Sequence, residues 1–426
     1  MKAKTLKSRL AALLGGFMLL GAAWWLSVGS WFALSEPKGF KGGIENVLSG
    51  SQDLLLRYNE LSMILLGENP YRLANEGTHQ ARAAEMLGPG RLLDPDYFPS
   101  TLLPVLCLMW LPFSAAKGVW LALNLASVVL LALTVRWMME PRLPSTSLQL
   151  VLISIWAASI PVWSCLAMGQ ATLFSLALTL AAFRADFQGR WLLAGLLLAF
   201  GVFKYAVVWP FVLFFFILQW RWRCLVTAGS IHVVVHLLLC RLMQADPVTI
   251  FAEVLGGNAK VFHRESLITI WTPFRAWNRH FPDLAVPVQV CGAVLLLLIL
   301  GGLACLWLRR DRGSREGLVA WTAVLALLAV LVVTSRTFSH MYVLPALLLA
   351  GMPAPVPFVF TPFQRGCLVY FCLHLAAVPS GADDLGLPPD DVRRLMLLYN
   401  VFLTMLAFSL ARLLLRMERG RASTTR

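Results

Sequence analysis

Apolar residues occur in long blocks along this chain, separated by short polar connections. Residues 10–33, 119–135 and 286–308 are each close to the ~20 residues that carry a helix across a ~30 Å hydrocarbon core. Between them lie the more compact blocks 149–164, 171–183, 191–203, 205–219 and 226–242. The spacing predicts a zigzag of membrane helices. Residues 100–113, interrupted by Pro104 and Pro112, are too few and too broken for an ordinary span. They predict a half-inserted element, which lipid tolerates only where protein packs against it. The whole pattern predicts an all-α polytopic transmembrane bundle of about twelve spans plus the half-inserted helix, forming a single integral membrane domain over residues 1–426.

Composition agrees with the pattern. Hydrophobic residues make up 58% of the 426 and charged residues 14%, far too little polar surface for a soluble chain of this length. The net charge of +14 would suit a nucleic-acid partner, but its distribution excludes one. Lys2, Lys4, Lys7 and Arg9 precede the first apolar block, Arg309, Arg310, Arg312 and Arg315 fill one connection, and Arg416, Arg419, Arg421 and Arg426 follow the last. Basic clusters beside spans orient a membrane protein with the positive side in the cytoplasm. Both termini are then cytoplasmic, and the first block is an uncleaved anchor rather than a signal peptide, being longer than the usual apolar region of ~7–15 residues. Two longer segments, 35–99 and 244–284, fall on the outer side, the first rich in acid. The eight cysteines are scattered and none has CxxC spacing, so neither a disulfide framework nor a zinc site is indicated.

Asp53 is the leading candidate for chemistry. It lies in Ser51-Gln-Asp53-Leu-Leu-Leu-Arg57-Tyr58-Asn-Glu60, soon after the first span and therefore at the outer surface. At helical spacing Asp53, Arg57 and Glu60 form a polar stripe and Leu54, Leu61 and Leu65 an apolar one. Such a helix lies in the membrane interface with its carboxylates above the headgroups; the alternative is a solvated face carrying an ordinary Asp-Arg pair. Lys204 stands inside a long apolar stretch, where an ionisable group is functional by default unless it snorkels to the interface. Pro210, six residues on, marks a break that could open a cavity there.

The order of short motifs resembles glycosyltransferase family 87, in the C superfamily of polytopic enzymes that use polyprenyl-phosphate sugars. The motifs are Asp53 with Tyr58, Gly67-Glu-Asn-Pro70-Tyr71, Tyr97-Phe-Pro99, Gly169-Gln170, Ala194-Gly195, Lys204 with Pro210, Gln219-Trp-Arg-Trp-Arg223 and Ser335 to His340. Asp53-Leu54, Tyr97-Phe98-Pro99 and Arg264-Glu265-Ser266 depart from the family's usual Asp-Phe, Tyr-Pro-Pro and Asn-Gln-Ser-like elements. The resemblance implies a hexosyltransferase that moves a mannose-like sugar from a polyprenyl phosphate to a lipid or glycan acceptor on the outer face of a bacterial inner membrane. It places the general base at Asp53 and implies inversion at the anomeric carbon. The departing phosphate needs cations, for which Lys204, Arg336 and His340 are the candidates. Tyr58, Glu60, Tyr71, Tyr97, Gln170 and Arg264 are candidates for sugar or acceptor contacts; as residues, the tyrosines equally suit an interfacial aromatic belt, and Gln170 suits a helix cap. No ligand-spaced cluster of Asp, Glu and His appears, so no metal or other cofactor is expected.

Two other functions remain. A transporter or lipid-linked-sugar flippase would distribute polar groups along a path through the spans, whereas here they gather near the outer side, and no internal repeat is visible. An oligosaccharide ligase or polymerase using pyrophosphate donors would carry more arginines in a large late outer loop.

Overall fold

A computed structural model of the chain describes residues 16, 19–24, 26–34, 51–87, 95, 97–139, 153–154, 156–157 and 160–261. Every regular element among them is helical, as the apolar blocks predict. The described part of segment 35–99 is built of three short helices, α1 (Gln52–Leu65), α2 (Pro70–Glu76) and α3 (His79–Leu87). Local chemistry explains α2 well. The Asn69 side chain accepts from the N–H groups of Tyr71 and Arg72, both at 3.1 Å, and Pro70 occupies the first turn, where its missing N–H costs nothing. Gly77, at φ 77°, closes the helix with a left-handed residue.

Residues 99–111 form the expected short, broken element. A 3₁₀ turn, Pro99–Leu102, runs into a single α turn, Leu103–Leu106, and then into turns that end before Pro112. Leu102, Leu103 and Val105 are buried against the protein. The Tyr58 hydroxyl donates to the Leu111 carbonyl at 2.6 Å and its ring meets Phe113 edge-on, fastening the far end of this element to α1.

Longer helices follow: α4 (Phe113–Met139), α5 (Ile160–Ala167), α6 (Thr172–Phe187), α7 (Trp191–Gly201), α8 (Tyr205–Phe211), α9 (Trp222–Leu242) and α10 (Pro247–Val261). α6 is the centre of the packing, with α4 and α7 against it, while α9 packs on the other side of α7. Leu54, Leu61, Trp120, Phe203 and Leu239 belong to the buried core that joins these helices to α1. The outer faces are apolar instead: Val129 and Leu133 on α4, and Val233, Val234, Leu237 and Leu238 on α9, are all exposed. Three hydroxyls on these helices return their hydrogen bonds to their own backbone, Ser127 to Leu123, Thr134 to Leu130 and Thr227 to Arg223. An apolar exterior with self-satisfied polar groups suits lipid as the surrounding solvent.

Three expectations change. Among the described residues only Phe113–Thr134 and Trp222–Leu242 are long and apolar enough to cross a membrane by themselves, with Leu19–Leu34 and Trp191–Lys204 shorter. The described residues do not confirm the count of about twelve spans, and the later blocks, from 286 onward, lie outside them. After α7 the chain passes through a 3₁₀ turn, Val202–Lys204, then α8, then a π-helical stretch, Val212–Ile217, so apolar sequence is divided among several short elements. Pro210, at the end of α8, lacks an N–H just ahead of that π stretch, and both features interrupt the regular helical ladder. Second, segment 244–284 is not simply a loop, because α10 fills its first part. Asp246 caps α10 by accepting from the Thr249 N–H and hydroxyl at 2.8 and 3.0 Å, which holds its carboxyl below the ordinary Asp value.

Third, the polar stripe of α1 faces the protein. Arg57 and Glu60 are 7% and 1% exposed, so neither the solvated face nor the interfacial helix with carboxylates in water describes them. Leu54 and Leu61 on the other stripe are also buried, so α1 is enclosed on both sides except at its end, where Leu65 is exposed.

Candidate active site

α1 begins where α5 ends. The N–H groups of Ser51 and Asp53 donate to the carbonyls of Ala167 and Met168 at 3.2 and 2.9 Å, so the unpaired donors of one helix meet the unpaired acceptors of another. The Ser51 hydroxyl donates to Ala33, tying the same point to the first apolar helix. Asp53 thus sits in the first turn of a helix whose start is held from two directions, and a carboxylate there is favoured by the helix dipole.

Gly169 makes this junction possible. Its N–H donates to Leu166 and the Gln170 N–H to Cys165, the paired bonds of a Schellman cap, with Gly169 left-handed at φ 64°. A Cβ on Gly169 would lie 2.8 Å from Ser51 Cβ and 3.0 Å from Ser51 Cα. The Gly169 carbonyl also receives the Trp120 indole N–H at 2.8 Å. We expect Gly169→Ala to destabilise the protein by about 1–2 kcal/mol from the left-handed backbone alone. Relief of the Ser51 contact would then shift Asp53 and lower activity further. Melting temperature and transfer rate of the purified variant check this; wild-type values for both would contradict it.

Lys204 arrives from the opposite direction. It ends the 3₁₀ turn between α7 and α8, and its own N–H donates to the Ser175 hydroxyl at 2.9 Å. Gly201 lets α7 come that close to α6, since a Cβ there would be 2.7 Å from the Thr179 hydroxyl and 3.1 Å from the Thr179 nitrogen. The Lys204 ammonium lies 4.0 Å from Asp53 Oδ2, with the two side chains 12% and 21% exposed. A snorkelling lysine would be far more open, so Lys204 points inward to Asp53.

Tyr97 lies beside this pair. Lys204 Nζ is 5.3 Å and the Arg57 guanidinium carbon 4.3 Å from the centre of its ring. Arg57 forms an ion pair with Glu60, not the Asp-Arg pair that spacing alone suggests, and Glu60 accepts from the Tyr71 hydroxyl at 2.9 Å. The sequence-derived candidates Asp53, Glu60, Tyr71, Tyr97 and Lys204 are therefore brought into one connected cluster. Gln170 is buried next to the Ser51 junction, and its side-chain carbonyl has no hydrogen-bond partner among the described residues. Tyr58 is engaged with Leu111 and Phe113. Arg264, Arg336 and His340 lie outside the described residues.

Ser175 and Trp120 had not been singled out from sequence. Each is one of several hydrogen-bonding residues in an apolar helix, a signal too common to select them. A family model for glycosyltransferase family 87 matches residues 97–335, more than half of the chain. The chain belongs to glycosyltransferase family 87. No curated protein and no solved structure matches it. As a member of family 87 it is a membrane glycosyltransferase. Tyr97, Gln170 and Lys204 fall inside the matched region, whereas Asp53 precedes it and His340 follows it.

Proposed function

We propose that this family 87 enzyme transfers a mannose-like hexose, with inversion, from a polyprenyl phosphate to a lipid or glycan acceptor. Asp53 is the general base and Lys204 the cation for the donor phosphate. The observation that carries this reading is the 4.0 Å approach of Lys204 Nζ to Asp53 Oδ2. That separation is too long for a direct hydrogen bond, so each group keeps capacity for a ligand between or beside them. In the reaction the acceptor hydroxyl gives its proton to Asp53 while its oxygen bonds to the anomeric carbon. The bond from that carbon to the phosphate oxygen breaks, and the polyprenyl phosphate leaves with the electron pair. Protonation of Asp53 removes the anion facing Lys204, so the full lysine charge becomes available as the phosphate departs. Charge-assisted bonding of this kind is what a leaving phosphate needs in a site shielded from water.

Gln170 is proposed as a sugar or acceptor contact through its carbonyl, which has no partner among the described residues. Arg336, His340 and Arg264 are proposed to complete the phosphate and acceptor sites. The internal ties of Tyr58, Glu60 and Tyr71 favour support of the site over contact with the sugar. No step is assigned to a metal ion or cofactor. The basic clusters beside the apolar blocks support a plasma-membrane location with cytoplasmic termini and the site on the outer face.

Proteoliposomes supplied with radiolabelled polyprenyl-phosphate hexose and bacterial membrane lipids test the proposal. Label is expected to appear in a new glycoconjugate. Label that only crosses the bilayer, unchanged, would establish a flippase instead. In the same assay Lys204→Met should lower kcat/KM for the donor by about 10- to 100-fold, the loss expected for a bond to a charged group. An unchanged value would remove Lys204 from the phosphate site.

A further inference from the structure

Tyr97 connects the Asp53–Lys204 pair to the buried Arg57–Glu60 pair. Both cations lie within the ~6 Å over which an aromatic ring attracts positive charge through its quadrupole. The ring is 6% exposed and is wedged edge-on against Phe203 and Tyr205 at 5.6 and 6.0 Å between ring centres. It cannot turn away without moving that packing. On the Arg57 side the arrangement is rigid too, because Glu60 holds the guanidinium and Tyr71 holds Glu60.

Lysine is the flexible partner. Its four-carbon stem carries ~2 kcal/mol of rotamer entropy, lost when the ammonium is fixed on a ligand. A ring that fixes the ammonium beforehand moves that loss out of the binding step. We propose that Tyr97 is a positioning residue of the transfer reaction: its ring, buttressed by Arg57, holds the Lys204 ammonium beside Asp53 ready for the donor phosphate. This deepens the function proposed above and rests on its assignment of Lys204. The π-system is the active part of the side chain, being the part that both cations approach.

The test is binding of undecaprenyl phosphate to the full-length protein in nanodiscs, measured for wild type, Tyr97→Phe, Tyr97→Leu, Lys204→Met and the double variant Tyr97→Leu/Lys204→Met. Tyr97→Phe keeps the ring and should bind within about twofold of wild type. Tyr97→Leu should bind about five- to tenfold more weakly, in the range of a desolvated cation–π contact. Because the ring acts through the ammonium, the double variant should bind no more weakly than Lys204→Met alone. A purely structural role predicts additive losses, and that result overturns the proposal. So does equal weakening by Phe and Leu, or wild-type binding by Tyr97→Leu while Lys204→Met is impaired. Wild-type binding by Lys204→Met instead sinks the donor-site assignment itself. Should Tyr97→Leu fail to fold, Tyr97→Met fills similar space without a ring and carries the same comparison.

Discussion

Asp53→Asn is expected to lower sugar transfer by about 10²- to 10⁴-fold, the usual contribution of a positioned general base. The replacement has the same shape and keeps the backbone N–H that donates to Met168, so the junction with α5 should survive. What it removes is the ability to take a proton from the acceptor hydroxyl. The fold should remain, because this carboxylate is partly exposed and its ion pair with Lys204 is long at 4.0 Å. Initial rates in proteoliposomes, compared with the melting temperature of the same preparation, separate the two effects. A wild-type rate would remove Asp53 as the base; a loss of rate with a collapsed melting temperature would make it structural.

The largest effect on stability is expected from Glu60→Ala. Glu60 is 1% exposed and is the carboxylate that neutralises Arg57 while accepting from Tyr71. Breaking a buried ion pair by removing one member costs about 3–5 kcal/mol, and here Arg57 loses its pairing with Glu60 while the Tyr71 hydroxyl loses its bond to the same carboxylate. The Arg57 guanidinium lies over the Tyr97 ring and the residue is 7% exposed, so little water reaches it. Thermal inactivation in detergent is the suitable measure, because membrane proteins commonly unfold irreversibly. A shift of only a degree or two would mean that Arg57 finds another acceptor. Arg57→Met/Glu60→Leu should recover much of the loss, since well-packed apolar residues often replace a buried pair at little cost. Recovery of stability without recovery of activity would place the pair in the service of Tyr97 rather than of the fold.

Much of this arrangement can be read from individual residues. The Asp53, Arg57 and Glu60 stripe follows from helical spacing and exists. Spacing gives only the relative direction of side chains on one helix, however, and cannot say whether that side meets water, lipid or protein. Here it meets protein, so Arg57 selects Glu60 within a closed core instead of Asp53 at a wet surface. Lys204 stands out as a charge in apolar sequence, but hydropathy alone leaves it equally able to snorkel. Its inward course depends on the 3₁₀ turn at Val202–Lys204 and on the Ser175 hydroxyl of a different helix. The break near Lys204 is legible in the sequence, where the apolar run divides into 191–203 and 205–219, but the π-helical stretch Val212–Ile217 is not: a window of apolar residues looks the same in either helical winding.

Sequence alone therefore determined the solvent, the helical class, the family and the identity of the polar residues that apolar surroundings make conspicuous. These properties are local or summed over the chain, and burial in lipid enforces them one residue at a time. Tertiary structure decided which carboxylate faces which cation. Asp53 and Lys204 lie in distant parts of the chain, and their meeting depends on two close approaches, Gly169 on Ser51 and Gly201 on Thr179. Contacts of that kind are set by the packing of whole helices, whose positions no run of neighbouring residues encodes.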